Sequence, residues 1–396
     1  TNNATLSALP FAQAIGGTFA DPEADASGIQ QQVNAGLAIA SVVNNGDLIV
    51  SASAIASATA GSAIAQVAAN TLDANAATGI AQTASATLTG GQASALVDNV
   101  GIISVVANAA AIGDVGIASA SATGISQNAV ADGVAVAFVS NAGTLGVDAS
   151  AVASGSVTAS AFAGAAGILQ QVSFAQSLFA TVINSGSITA SASAVATGAP
   201  ADASAFATAI AQTASGAYGG SGQVAVLSVQ NSGEIVANAF ADADSLGVVS
   251  AEASAIGVNQ AFTQFGPTGT QTFLPVVTAV INNSGHIDAT AIALAGGGVT
   301  NFAYADAAGI QIFATGDPYN GAILNLDVVN SGSSIGVFAS ASADGSGIAS
   351  ANAIGIAVTG GVVIGAIDNA GLIQATAVAT GGGGVYGTTG VGFASA

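Results

Sequence analysis

The side chains best suited to chemistry are the single imidazole, His286, and two short clusters of carboxylates. The carboxylates lie at 21–25 (Asp-Pro-Glu-Ala-Asp) and at 242–244 (Asp-Ala-Asp). Alternate acidic residues can ligate Ca²⁺ through oxygen, and two carboxylates about 5 to 9.5 Å apart in a groove can hydrolyse a glycosidic bond. Neither cluster recurs at regular intervals, so we expect solvated turns. The pattern predicts no metal site and no cofactor, and a Ca²⁺ site is the less favoured alternative.

The net charge of the chain argues against anionic partners and substrates. The chain of 396 residues has no Lys or Arg and 20 Asp plus Glu, giving a formal net charge of −20. Nucleic acids and acidic membranes need clustered cations to replace their counterions, and enzymes acting on anionic substrates use a cation near the developing charge. We therefore expect no nucleic-acid partner and no enzymatic activity.

The chain also lacks the residues that are most easily modified or cleaved. It has no Cys, Met or Trp, so thiol chemistry and the common oxidation reactions are excluded. A chain without Lys or Arg offers trypsin-like proteases no cleavage site, which suits a long life outside the cell. Hydrophobic residues make up 51% of the chain, but Ala alternates with Ser, Thr and Asn, and we find no apolar run of about 20 residues. We expect a secreted protein with no membrane span.

A corner motif occurs eight times: a β-branched residue, any residue, Asn, any residue, Gly. The Asn residues are Asn44, Asn99, Asn141, Asn184, Asn231, Asn283, Asn330 and Asn369. The glycines are Gly46, Gly101, Gly143, Gly186, Gly233, Gly285, Gly332 and Gly371. A Leu or Ile follows two residues after the Gly, with one extra residue before Ile335. The period averages roughly 46 residues, which is typical of solenoids, propellers and arrays.

A second mark lies between the corners. It is a small residue followed by Ile or Val, as in Gly167-Ile168, with Gln two residues later in six copies. These are Gln31, Gln82, Gln127, Gln170, Gln212 and Gln260, and Ile312 and Val358 replace Gln in the last two copies. Between the marks small and polar residues alternate with period two, as in 187–194, which predicts extended strands rather than helices.

These patterns predict an all-β fold, a parallel β-solenoid of about eight repeats that forms a single domain over 1–396. Parallel stacking at about 4.8 Å would place Asn on Asn, Gln on Gln and Val or Ile on its equivalent, forming ladders. The unit could be one large rung or two rungs of about 23 residues. A propeller is less favoured because only one corner repeats strictly.

The residue types of the corner motif predict its backbone conformation. Asn tolerates the left-handed conformation and Gly adopts it at no steric cost, so we expect the corners to use it. His286 follows the corner glycine, where the other copies have Asp47, Ile102, Thr144, Ser187, Glu234, Ser333 and Leu372. Such a variable position indicates an exposed turn, not a catalytic or metal-binding residue.

Insertions are concentrated between the second mark and the next corner, at 216–222, 262–275 and 315–321, and map to one edge. They contain Tyr218, Phe265 and Tyr319, which form either an interaction surface or side chains folded back over an open edge.

The segments Asn184–Ile188, Asn231–Ile235 and Asn283–Ile287, each followed by alternating Ala, Ser and Thr, resemble bacterial secreted β-strand-repeat and autotransporter-passenger-like β-solenoids. The resemblance implies export to the cell surface and a role in adhesion, matrix or fibres.

Neither terminus shows a polar cap, and solenoid ends without one expose unpaired backbone. Residues 1–17 and 381–396 contain apolar side chains that could pair with a neighbouring subunit. We therefore expect a filament subunit that assembles head to tail with itself. The alternative is a monomeric adhesin that binds cell-surface or matrix components through the aromatic loops. An ice-binding solenoid is less favoured, because regular Thr-x-Thr ranks are missing.

Overall fold

The fold was analysed in a computed structural model. It describes residues 1–67, 77–86, 88–216, 223–264, 276–315, 323–332, 334–344, 347–360, 362–381 and 393–395. These residues form strands and no helix. In chain order the strands are β1 (Leu6–Ala8), β2 (Phe11–Gly16), β3 (Phe19–Ala20), β4 (Ala26–Asn34), β5 (Leu37–Asn44), β6 (Asp47–Ala58), β7 (Ser62–Val67), β8 (Ala77–Ser85), β9 (Gln92–Asn99), β10 (Ile102–Val130), β11 (Val134–Asn141), β12 (Thr144–Ser173), β13 (Ser177–Asn184), β14 (Ser187–Thr197), β15 (Ala201–Gly216), β16 (Val224–Asn231), β17 (Glu234–Asp244), β18 (Val248–Gln264), β19 (Val276–Asn283), β20 (His286–Gly296), β21 (Thr300–Thr315), β22 (Ile323–Asn330), β23 (Ser334–Ala343), β24 (Gly347–Gly360), β25 (Val362–Asn369), β26 (Leu372–Gly381) and β27 (Phe393–Ser395).

All pairing between these strands is parallel, in two sheets. The smaller sheet has eight strands in the order β25-β22-β19-β16-β13-β11-β9-β5, and each of them ends on a corner Asn. The larger sheet contains the other nineteen strands. The predicted parallel β-solenoid with stacked Asn and Gln ladders is confirmed.

One hydrogen-bonded layer uses the whole sequence repeat. Asn141 pairs with Asn184 in the smaller sheet, and Ser187 pairs with Glu234 in the larger. Residues that donate to one another along the Asn column are 39 to 55 positions apart. The layer is therefore one large rung, and rungs of about 23 residues are excluded.

The core consists of every second residue of the strands in the middle of the stack. In β14, Ile188, Ala190 and Ala192 are buried while Ser187, Thr189 and Ser191 face outward. Ala dominates the interior because its small side chain lets opposing strands of one rung approach closely. Columns of larger side chains fill the corners, and Ile188 stacks between Leu145 and Ile235.

The corners do not use the left-handed conformation that we expected. The only non-glycine residue of the described chain with positive φ is Phe174, and the glycines with positive φ are Gly61, Gly90, Gly297 and Gly365. Each corner instead stacks on the preceding one: Ser185 N and Gly186 N both donate to Asn141 O, at 2.9 and 3.1 Å. A Cβ on Gly186 would lie 1.9 Å from Gly143 O. Glycine is required because the rungs approach closely, not because of φ.

The same close approach explains the small residue of the second mark. A Cβ on Gly167 would lie 2.4 Å from Ala209 O in the next rung and 2.9 Å from Cγ2 of Ile188. The second mark therefore packs against the apolar residue that follows the next corner. This links two sequence signals that are far apart along the chain.

Residues 2–44 form the first rung of the stack. β1 and β2 pair with β6, β3 pairs with β7, β4 pairs with β8, and β5 pairs with β9. One edge of residues 1–17 is therefore occupied by the chain itself, and pairing of the other edge with a neighbouring subunit stays a prediction. Of 381–396, only Gly381 and 393–395 lie within the described residues.

The corner stacking predicts a contrast between two glycines at equivalent positions of the motif. Gly186→Ala should lower the free energy of unfolding by more than about 2 kcal/mol, because the new methyl group overlaps the carbonyl of Gly143. Gly332→Ala should leave stability unchanged or slightly raised, because a Cβ there meets no atom of the described chain within 4 Å. Urea unfolding followed by circular dichroism measures both. Equal destabilisation by the two substitutions would contradict the stacking account.

Candidate functional site

The corner asparagines form a continuous buried column. Each Nδ2 donates to Oδ1 of the next Asn along the chain, at 2.7 to 2.9 Å. The second Nδ2 hydrogen is also used: Asn184 Nδ2 donates to Glu234 O at 3.1 Å, at the start of the next rung. Asn44, Asn141 and Asn231 make the equivalent bond, so at these corners the column ties the end of a strand of the smaller sheet to the strand that follows the corner one rung later.

The glutamines form a second column of opposite polarity. Each Nε2 donates to Oε1 of the preceding Gln, at 2.8 to 2.9 Å. Each Nε2 from Gln31 to Gln212 also donates 3.0 Å across the rung to a backbone carbonyl of the smaller sheet, as in Gln170 to Thr181 O. The second column therefore crosslinks the two sheets through the interior.

The Gln column stops inside the stack. Gln260 pairs in register with Ile312, and Ile312 pairs with Val358. Oε1 of Gln260 is buried without a hydrogen-bond partner, because the next rung supplies no amide. An aliphatic side chain therefore fits this position sterically. What it costs in stability depends on whether the Gln residues above and below it are left without hydrogen-bond partners.

Within the described residues, β25 is the last strand of the smaller sheet. It pairs with β22 on one side, has no described strand on the other, and is exposed along its whole length. Its inward-facing Val363 and Ile367 are 44% and 47% exposed, whereas Leu324 and Val328, their partners one rung below, are 0% and 1% exposed. Core columns thus reach the surface at this face, which we call the C-terminal face: β25 with the first residues of β26.

The N-terminal end carries a ninth corner, which we call the N-terminal face: Asn2–Leu6 with the outer edge of β5. Asn2 Nδ2 donates to Asn44 Oδ1 at 2.8 Å, and Leu6 stacks on Leu48. Beyond Asn2, the outer edge of β5 is unpaired within the described residues. The sequence motif missed this corner because Ala4 stands where the others have Gly.

Two adjoining depressions lie on the outer surface of the larger sheet, with volumes of about 450 and about 430 Å³. Both include Asn238 and Thr290; Phe240 lines the first, and Asp288 and Phe338 line the second. Their amide, hydroxyl, carboxylate and aromatic groups suit a neutral, hydroxyl-bearing ligand. Sequence reasoning missed them, since they need outward residues from several rungs.

His286 lies at the rim of this surface. It is exposed, pairs in register with Glu234, and its Nδ1 is 3.0 Å from Ser334 Oγ. Ser334, rather than Ser333, occupies the equivalent position in the next rung, because it pairs with Leu372. Burial raises the pKa of Asp288; the nearby His286 opposes that shift, and Glu234 reinforces it.

The two acidic clusters lie apart on the outer surface. Burial raises the pKa of Asp25 in the first cluster, and burial together with the charge of Asp244 raises the pKa of Asp242 in the second. Within the described residues no three His, Asp or Glu side chains are grouped closely enough to hold a metal ion. The described acidic residues therefore give no support for a metal site.

The aromatic loop residues Tyr218, Phe265 and Tyr319, and most of the insertions 216–222, 262–275 and 315–321, lie outside the described residues. The described part of the chain contains no helix long and apolar enough to cross a membrane.

Comparison with known proteins identifies no relative: no family model, no curated protein and no solved structure matches the chain.

The Gln column predicts unequal effects of one substitution at two positions. Gln170→Ile leaves Oε1 of Gln127 without a donor and Nε2 of Gln212 without one acceptor, so it should cost about 2 to 4 kcal/mol of unfolding free energy. Gln260→Ile leaves Oε1 of Gln212 without its donor, but it also removes Oε1 of Gln260, a buried acceptor that has no donor in the wild type. Because these two effects offset each other, the substitution should cost less than about 1 kcal/mol. Urea midpoints measure the difference, and similar costs at both sites would refute the column as a polar network.

Proposed function

We propose that this chain is an extracellular structural protein, the subunit of a protease-resistant surface filament or matrix fibre that assembles head to tail. It is a solenoid of about eight repeats, and the strands of its middle rungs alternate buried and outward-facing residues. The observation that carries the proposal is the open C-terminal face, where core columns end on exposed side chains.

An open parallel sheet edge favours addition of another strand. β25 and β5 are the two outer strands of the smaller sheet, and each is eight residues long and ends on a corner Asn. Unpaired backbone groups at such edges bind further chains unless they are protected. A heterologous contact between two different ends need not close, so it extends into a fibre.

The negative charge of the chain opposes lateral association, the alternative to end-to-end assembly. The net charge of −20 has no fixed cation to offset it, so chains repel one another side by side. The C-terminal face, in contrast, presents Val362, Val363, Ile364 and Ile367, all of them exposed. Association through the ends therefore buries apolar surface while it keeps most of the carboxylates apart.

Location outside the cell is part of the proposal. It is supported by the lack of Cys, Met, Lys and Arg, which leaves few sites for oxidation and none for trypsin-like cleavage, and by the resemblance to secreted β-strand-repeat proteins.

A second candidate function, a binding module or adhesin, is favoured by the outer depressions. Their volumes lie within the range of ligand sites, and their lining suits neutral glycans of a cell surface or matrix.

The filament proposal predicts a contrast between two substitutions that each add one carboxylate. Val363→Asp places a charge on the C-terminal face and should abolish assembly, whereas Val236→Asp, on the outer surface in the middle of the stack, should leave it intact. Negative-stain microscopy of the wild-type chain should show unbranched filaments with an axial repeat of roughly 40 Å, from about 4.8 Å per strand. Higher ionic strength should promote assembly by screening repulsion.

Wild-type chains that remain monomeric in sedimentation at every protein and salt concentration would reject the filament. Filaments that form equally well with Val363→Asp would reject the C-terminal face as the contact.

A further inference from the structure

Six of the stacked corners leave no space for a side chain at the glycine position. A Cβ there would lie 1.9 to 2.0 Å from the carbonyl oxygen of the preceding corner glycine at five of them, and 2.3 Å from Ala4 O at Gly46. The corners with this geometry are those of Gly46, Gly101, Gly143, Gly186, Gly233 and Gly285. In each case the added atom points toward the N-terminal end of the stack.

The N-terminal corner carries a methyl group at this position. Asn2 and Leu6 stack on Asn44 and Leu48 with the spacing of every other corner, and the equivalent of Gly46 is Ala4. Ala4 is exposed, and by this equivalence its Cβ points out of the N-terminal face. Its backbone N–H donates to Asn2 Oδ1 at 3.3 Å, the oxygen that in the rest of the column accepts from the preceding Asn.

The Asn column gives the two ends of the stack complementary polarity. Because Nδ2 of each Asn donates to Oδ1 of the next, Asn369 ends the column with a donor and Asn2 with an acceptor. The C-terminal face of one copy therefore matches the N-terminal face of another, whereas two C-terminal faces would oppose donor to donor.

We propose that the N-terminal face docks the C-terminal face of a second copy, and that Ala4 limits the strength of this joint by holding the two corners apart. The proposal rests on the proposed head-to-tail assembly and names the residue that restrains it. In a joint that repeats the spacing of the corners from Gly101 to Gly285, the carbonyl of Gly371 would lie about 2 Å from the methyl carbon of Ala4, where atoms need more than about 3 Å.

Relief of this overlap opens the joint by about 1 Å at the corner. The corner hydrogen bonds inside the stack, such as Ser232 N to Asn184 O at 2.8 Å and Glu234 N to Gly186 O at 2.9 Å, would be too long at the joint. Strands can still add at the sheet edge, but without the corner bonds, so the joint is weaker than any contact within one chain.

The test compares Ala4→Gly with Ala142→Gly. Ala142 is an exposed corner residue in the middle of the stack, so its substitution reproduces the loss of a methyl group and the added chain flexibility without touching an end. Ala4→Gly should lower the concentration at which half of the chains are assembled end to end by about tenfold or more, and Ala142→Gly should match the wild type. Sedimentation gives this concentration, and circular dichroism verifies that each variant folds.

The outcomes separate this inference from the proposed function. If the wild type forms filaments and Ala4→Gly assembles no more tightly, the restraint is wrong and the filament stands. If the wild type is monomeric and Ala4→Gly associates end to end, the restraint stands and the native filament is wrong. If both remain monomeric, both ideas are overturned.

Discussion

The fixed separation of about 4.8 Å between stacked parallel strands is the constraint on which this structure depends. At that distance an Asn amide reaches the amide one rung away, so a buried polar side chain becomes tolerable when every rung repeats it. At six of the corners the same distance leaves no room for a Cβ, so glycine repeats there as well. The recurring Asn and the recurring Gly of the corner motif both follow from this spacing. Asn repeats because its amides hydrogen-bond between rungs, and Gly repeats because a larger side chain would overlap the neighbouring rung.

Position along the stack therefore decides what a residue contributes. Asn184, in the middle, accepts from Asn141 on one side and donates to Asn231 on the other, whereas Asn369 has a column neighbour on one side only within the described residues. Core residues such as Val328 are buried by the next rung, and Ile367 is exposed because no rung of the described chain follows β25. In the described stack the repeating interactions are therefore incomplete at its two ends, and the proposed function concerns these ends.

Much of this fold could be predicted from the sequence, because identical residues in register leave a periodic trace. Asn141 and Asn184 are separated by one period, and the structure places them in one column. Rung length could not be predicted, since alternating strands look alike whether a layer uses 23 or 46 residues. The predicted corner conformation was wrong because Asn and Gly are also the residues that favour left-handed turns. The steric reason for Gly186 becomes visible only when the neighbouring rung is in place.

The end faces and the outer depressions could be predicted less well. Ala4 interrupts the motif that reveals the other corners, although Asn2 and Leu6 keep its spacing. The depressions are formed by outward positions such as Asn238 and Thr290, which vary from rung to rung and so leave no period. Periodicity identifies what is common to all rungs, and function depends on what differs between them.

The most direct measurement of the stacked register uses the absence of cysteine from the chain. Ser191 and Asn238 face outward and pair in register, so Ser191→Cys with Asn238→Cys places two thiols on Cα atoms about 4.8 Å apart, within disulfide range. Mild oxidation should crosslink this pair and leave the circular dichroism spectrum unchanged. Ser191→Cys with Asp244→Cys, which is out of register by six residues on the neighbouring strand, should stay reduced. Failure of the first pair to crosslink, or equal crosslinking of both pairs, would contradict the account.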